Sequence, residues 1–284
     1  MKVLVLGASG MLGNAVMRVL GEVADWRVTG TLRSESAKRH FTGPIAGNLI
    51  SGIDVEQQDS LLEAFAQVKP DIVINCIGVV KQLAEANDPL RVLPINAILP
   101  HRLARICELA SARLIHISTD CVYSGDKGRY RESDTPDARD LYGRSKLLGE
   151  VAAPHTLTFR TSIIGHELQS THGLVEWFLA QQGRCNGYAK VIYSGFPAVV
   201  LAGIMRDVVI PRPDLSGIFH LASRPITKYE LLRLIAKVYD KKIEIVPDER
   251  YVIDRSLDAT RFERATGYAP PEWEEMIAMM YRYR

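Results

Sequence analysis

At 284 residues, with 47% hydrophobic and 24% charged side chains, the chain is long enough to bury a large core and has the balance of a globular protein. A net charge of +2 with no lysine or arginine block argues against a nucleic-acid partner or a membrane surface, and no apolar run approaches a membrane span. Cys76, Cys107, Cys121 and Cys185 have neither disulfide-framework nor metal-ligand spacing, so a reducing cytoplasm and no metal centre are expected.

The first predicted strand, Lys2–Leu6, is apolar throughout, as a strand buried on both faces should be. Gly7-Ala8-Ser9-Gly10-Met11-Leu12-Gly13 follows, then a helix over 14–20. Glycines at such a turn let the chain bend tightly and let a pyrophosphate reach backbone N–H groups at the positive end of the helix. Gly7, Ser9, Gly10, Met11, Leu12 and Gly13 are therefore candidate dinucleotide contacts.

The second strand, over 26–32, runs into Arg33-Ser34, where an NAD-binding unit places an acid for the ribose hydroxyls. An arginine and a serine with no acid suit a 2′-phosphate, so NADP(H) is expected and NADH is disfavoured. Residues 48–55 read as a strand or loop that carries Asp54 and Val55 to the adenine edge.

A helix over 60–68 leads to the fourth strand, 71–75. At its exit, Cys76, Ile77 and Gly78 are expected along the cofactor and Val80 at the substrate; Lys81 is a weaker candidate that reads first as a solvated lysine. The long helix over 94–110 carries Asn96 near its start, as a helix cap or as part of a buried polar relay near the cofactor.

The apolar run 113–117 is a short buried strand, so Ser118 and Thr119 emerge at its carboxyl end, where open α/β sheets bind ligands. Farther on, Tyr142 and Lys146 lie four apart in a helical pattern, on one face. A fixed positive charge beside a phenol favours the phenolate and brings its pKa toward the working pH. A Tyr-x-x-x-Lys pair alone is also how a tyrosine packs beside a snorkelling lysine. Its weight here comes from the Ser-Thr-Asp strand end and the amino-terminal glycine turn.

After Glu150 come a strand over 156–160, helices over 174–182 and 200–210, a strand over 217–221, a helix over 228–239 capped by Thr227, and a loop over 254–258 rich in anion-binding groups. Alternation of strand and helix predicts an α/β fold: a Rossmann-type doubly wound parallel sheet over 1–160, with a smaller substrate-binding domain over 161–284 whose strands return partly to the main sheet.

Gly7, Gly10 and Gly13, Asn96, Ser118-Thr119-Asp120, Gly125 and Gly128, Tyr130, Glu132, Asp134 and the run Tyr142-Gly143-x-Ser145-Lys146-Leu147-x-Gly149-Glu150 resemble the extended short-chain dehydrogenase/reductases. Within them the resemblance is to the dTDP-4-dehydrorhamnose reductase family of nucleotide-sugar reductases. It covers essentially the whole chain, densely over the first 165 residues, with Arg160-Thr161, Phe196-Pro197 and Arg255-Ser256-Leu257-Asp258 as later matching positions.

The resemblance implies that Thr119 holds a substrate carbonyl, Tyr142 delivers the proton, and Lys146 binds the nicotinamide ribose while lowering the tyrosine pKa. Hydride would pass to carbon 4 of a keto-sugar. The independent chemistry agrees, because a ketone accepting hydride develops negative charge on oxygen, which a hydroxyl and an acidic phenol stabilise. It further implies Ser118 at the cofactor, Asp120, Cys121, Ser162 and Phe196 at the sugar, and Arg255 at the diphosphate.

Cys121 stands where these reductases usually carry an aromatic residue and Ala138 where a proline is expected, which leaves the sugar and the base open between dTDP, UDP and GDP. A homodimer is compatible with the reading. An epimerase of the same superfamily would keep NAD bound, which Arg33 disfavours, and a dehydratase needs an acidic pair where this chain has only Asp120. A non-catalytic regulatory subunit, as the methionine adenosyltransferase subunit of similar fold, would have no need of Thr119, Tyr142 and Lys146 together.

Overall fold

The computed structural model describes residues 1–284, apart from the side chain of Ala84. In the first half, β1 (Lys2–Leu6), β2 (Arg27–Thr31), β3 (Leu49–Ile50), β4 (Ile72–Asn75), β5 (Arg113–Thr119) and β6 (Thr156–Thr161) alternate with α1 (Met11–Leu20), α2 (Gln58–Val68), α3 (Pro89–Val92), α4 (Leu99–Leu109) and α5 (Leu141–Leu148). The second half adds β7 (Ile163–Ile164), α6 (Leu174–Ala180), β8 (Arg184–Tyr188), β9 (Val191–Tyr193), β10 (Phe196–Pro197) and α7 (Ala198–Ile204). It ends with β11 (Gly217–His220), β12 (Ile226–Thr227), α8 (Lys228–Val238), β13 (Glu244–Asp248), β14 (Ile253–Asp254), α9 (Thr260–Thr266) and α10 (Trp273–Arg282).

Seven parallel strands form the main sheet in the order β3-β2-β1-β4-β5-β6-β11. The order reverses between β1 and β4, and the crevice beyond the carboxyl ends there is the ligand position of a doubly wound sheet. Side chains alternate along each strand. Leu4, Leu6, Val73 and Leu114 pack on Leu61, Phe65 and Leu103 on one face. Val3, Val5, Ile74 and Ile115 face the other way, into a core shared with Phe178, Val199, Trp273 and Met276 from the second half. A smaller three-stranded sheet, β12-β9-β14, stands beside the main one.

Several elements differ from their sequence expectations. The third strand shrinks to two residues. The helix expected from Pro94 begins at Pro89, where the Asp88 side chain accepts the Leu90 N–H at 2.9 Å, and continues through a π segment, Leu93–Ile98, into α4. Pro94 has no N–H to return to the preceding turn, and the wider register accommodates it. A second π segment, Met205–Val209, extends α7. Thr227 caps α8 as expected, in a full capping box with Glu230.

Candidate active site

The glycine turn is shaped by close backbone approach. Gly7 has φ +80°, and a Cβ there would lie 2.7 Å from Ile77 Cγ1. A Cβ on Gly13 would overlap the Gly7 carbonyl. The first turn of α1 has no side-chain cap and no acid, so its N–H groups face the crevice unclaimed. This cradle fits a dinucleotide pyrophosphate. Met11 lies at its rim, with its side chain against Gly165 and Gly173, and Ser9 is half-buried beside it. Leu12 is buried as core packing. Burial pushes the Cys76 thiol up to about 12, which makes it a filler beside Gly7 rather than a reactive group.

At the β2 tip Arg33 is exposed, and its Nη2 stands 3.9 Å from Asp54 Oδ2. The tip thus does have an acid close by, supplied by the segment after β3 rather than by β2 itself. Ser34 is engaged locally: its hydroxyl accepts the Ser36 N–H at 3.2 Å and caps a short 3-10 turn. Val55 is buried in the α2 core.

Thr119, Tyr142 and Lys146 assemble where β5 meets α5. Asp140 caps α5 by accepting the Gly143 N–H at 2.8 Å. Both ends of the helix are pinned by glycine: a Cβ on Gly143 would overlap the Cys121 carbonyl, and one on Gly149 the Asn96 carbonyl. Lys146 is buried, donates from Nζ to the Ile117 carbonyl at 2.7 Å, and is lowered by burial to about 8.

Burial, rather than the lysine, dominates the phenol. The Tyr142 pKa is raised above its ordinary value, with the Thr119 hydroxyl acting in the opposite direction. The expectation of a lowered phenol is therefore reversed in the free protein, and Tyr142 stands as a protonated acid. Thr119 Oγ1 accepts the Cys121 N–H at 3.1 Å and donates to Asp120 Oδ1 at 3.1 Å. Asp120 is buried, and burial raises its carboxyl, with Arg255 as the first opposing influence.

Asn96 is no helix cap. It lies in the π segment, buried, where Oδ1 accepts the Val79 N–H at 2.9 Å and Nδ2 donates to the Val79 carbonyl at 3.0 Å and to Ser145 Oγ at 3.2 Å. It ties the loop after β4 to α5. Gly78 is packed between, and a Cβ there would lie 3.4 Å from Asn96 Oδ1 and 3.9 Å from Lys146 Nζ.

Toward the second half the expected substrate contacts divide. Val80 is exposed; Lys81 is not a free surface lysine but pairs with Asp140 at 2.5 Å. Arg255 donates from Nε to the Tyr123 carbonyl at 2.8 Å. Ser162 is half-buried, its carbonyl accepting the Phe196 N–H at 2.9 Å. Phe196 itself is 0% exposed and packs in the main core, so it is corrected to a packing residue. Ser118 spends its hydroxyl on Glu150 Oε1 at 2.8 Å.

That last bond opens a network that sequence reasoning missed. Glu150 and Arg160 form a buried bidentate pair at 2.7 and 2.8 Å. Arg160 Nη1 donates to Tyr123 Oη at 2.6 Å, and His220 Nε2 lies 3.2 Å from the same oxygen. The network joins β5, the turn after α5, β6 and β11 behind the carboxyl end of β5. Beside it, His116 is buried with Nδ1 3.1 Å from Asn75 Nδ2. Because Asn75 Oδ1 accepts the Ile77 N–H at 3.1 Å, its amide nitrogen faces the ring and donates. The neutral ring therefore carries its proton on Nε2, which has no partner among the described residues.

Comparison with known proteins places this architecture. A family model described as RmlD substrate binding domain matches residues 1–283. The chain belongs to that family. The RmlD-type chain is 32% identical to a probable low-salt glycan biosynthesis reductase, Agl14, of Haloferax volcanii, over 97% of its own length and 96% of that protein's. It is 25% identical to methionine adenosyltransferase 2 subunit beta of Xenopus tropicalis, over 84% and 72% of the two lengths. The crystal structure of dTDP-4-dehydrorhamnose reductase from Bacillus anthracis in complex with NADP superposes with a TM-score of 0.80 at 20% identity, covering 99% of each chain, a likeness of fold.

Proposed function

We propose that this RmlD-type chain reduces a keto-sugar carried on a nucleoside diphosphate, using NADP(H), as a step in deoxysugar or polysaccharide assembly. The observation that carries the reading is a protonated phenol, Tyr142, beside the Thr119 hydroxyl and one helical turn from the buried ammonium of Lys146, at the carboxyl end of β5. A binding module needs a pocket; it does not need an acid, a hydroxyl and a cation converging on one point.

Bound NADPH would supply a hydride to the carbonyl carbon. The chain's own residues do the rest. The α1 amides after Gly10 hold the pyrophosphate, Arg33 meets the 2′-phosphate, and Lys146, positioned with Gly78 and Asn96, holds the nicotinamide ribose. Thr119 turns its hydroxyl from Asp120 to the substrate oxygen, and Tyr142 gives that oxygen its proton as negative charge develops. Residues 161–284 supply the sugar-nucleotide end.

The test is NADPH oxidation, followed at the nicotinamide absorbance, with dTDP-, UDP- and GDP-linked 4-keto-6-deoxy sugars and NADH as control. One member of the panel should be consumed. Tyr142→Phe should lower that turnover by roughly two to four orders of magnitude while NADPH still binds. Silence across the panel, or full turnover in Tyr142→Phe, would sink the reading.

A further inference from the structure

Asn75 closes β4, and His116 lies beside it in β5, paired in register. Both are buried, on a face of the sheet where Val73, Leu114 and Leu103 form an apolar layer. The Asn75 amide bridges two neighbours: Oδ1 accepts the Ile77 N–H at 3.1 Å, and Nδ2 donates to His116 Nδ1 at 3.1 Å. Ile77 belongs to the short loop that runs from the glycine turn to the lysine. A Cβ on Gly7 would lie 2.7 Å from Ile77 Cγ1, and one on Gly78 would lie 3.9 Å from Lys146 Nζ. Asn96 holds the far end of that loop at Val79, and Asn75 ties its near end.

Packing alone does not account for the ring. Its Nε2–H is buried with no acceptor among the described residues, a cost that a leucine in the same layer would not incur. Burial first, and then the charges of Lys146 and His101, hold the ring in its uncharged form. With Nδ1 a bare acceptor, the ring admits one orientation of the facing amide, its NH2 toward the ring and its oxygen toward Ile77. A proton on Nδ1 would set two donors face to face; the amide would turn over and bring its NH2 against the Ile77 N–H. The next residue of β5, Ile117, gives its carbonyl to Lys146 Nζ at 2.7 Å. Adjacent residues of one strand thus hold two sides of the same space, His116 the loop and Ile117 the lysine.

We propose that His116 is a positioning residue for the nicotinamide half of the cofactor site, an uncharged acceptor that fixes the Asn75 amide and, through it, the loop after β4. The inference rests on the reading above that Lys146 holds the nicotinamide ribose. The effect of His116 passes through Asn75 to Ile77 and Gly78. The adenosine end, at Arg33 and Asp54, belongs to β2 and the segment after β3, across β1 from β4, and is out of its reach.

Calorimetric titration of the full chain with NADPH and with adenosine 2′,5′-bisphosphate, which carries only the adenosine half, tests this. His116→Leu should weaken NADPH about tenfold and leave the bisphosphate unchanged. Its urea midpoint should stay near that of the wild type, because the substitution removes one orphaned donor as it creates another. His116→Gln, which offers the Asn75 NH2 an amide oxygen, should recover most of the NADPH loss. Nitrogen NMR shifts of the His116 ring in the wild-type protein should place its proton on Nε2, a readout that needs no variant to fold. A proton on Nδ1, unchanged NADPH affinity in His116→Leu, or equal weakening of both ligands overturns the positioning role while the reductase reading stands. Lys146→Met that binds NADPH as tightly as the wild type removes the lysine from the ribose and overturns both.

Discussion

The Asn96 side-chain amide reaches Ser145 Oγ at 3.2 Å while holding both backbone groups of Val79. One buried side chain thus fixes the loop after β4 against the helix that carries Tyr142 and Lys146. Asn96→Ala leaves a buried donor and acceptor unpaired, at about 1–3 kcal/mol each. Thermal unfolding should shift down by several degrees, and NADPH affinity should fall with it, since Gly78 loses its anchor.

Lys146 sits at about 8 in the free protein because burial disfavours its charge. If the ammonium is what holds the ribose, kcat/KM should decline as pH rises through about 8, while binding of the sugar nucleotide alone stays flat. A profile level to pH 9.5 would remove Lys146 from that role.

Arg33 stands exposed, 3.9 Å from Asp54. Arg33→Ala should weaken NADPH about tenfold or more and leave NADH little changed, because only the 2′-phosphate is lost from its reach. Asp54→Asn should do the reverse for NADPH by removing a repulsion. Equal effects on both cofactors would show that the arginine reads no phosphate.

Glu150 and Arg160 are paired in the interior with 4% and 6% side-chain exposure. Removing one partner strands the other charge, so Glu150→Gln should cost about 3–5 kcal/mol in urea unfolding. Replacing both with apolar residues should recover part of that. A loss under about 1 kcal/mol would mean the pair is reached by water.

His220 is lowered to about 4 by burial, and His116 well below its ordinary value for the same reason. The unfolded chain takes up a proton at each near pH 6.5, whereas the folded chain does not. Stability is therefore fullest above about pH 6.5 and is lost as pH falls toward 4, with His220 alone accounting for about 3 kcal/mol. Unfolding midpoints at pH 7 and pH 5 measure it, and His220→Gln should flatten the difference.

What was legible in the chain was what is local. The β1-turn-α1 unit, the polar end of β5, the Tyr142–Lys146 face and the Thr227 cap all declare themselves within a few residues, through periodicity and turn chemistry. What was not legible depends on residues far apart in sequence. Asp54 reaches Arg33 only because β3 pairs with β2. Phe196 reads as a ligand contact until the shared core closes over it. Glu150, Arg160, Tyr123 and His220 come from four segments, and no spacing links them. The reversal at Tyr142 has the same origin, since a spacing of four reports the lysine and is silent on how much water is removed.

The glycines at the two ends of α5 make the Tyr-Lys spelling conditional. Gly143 lies on the Cys121 carbonyl and Gly149 on the Asn96 carbonyl, with no room for a methyl group at either place. A chain that preserved the two reactive letters but wrote alanine at the first glycine would have to push the helix off the Cys121 turn, and at the second off the π segment that carries Asn96. The small, silent residues are what turn a common four-residue word into an instruction.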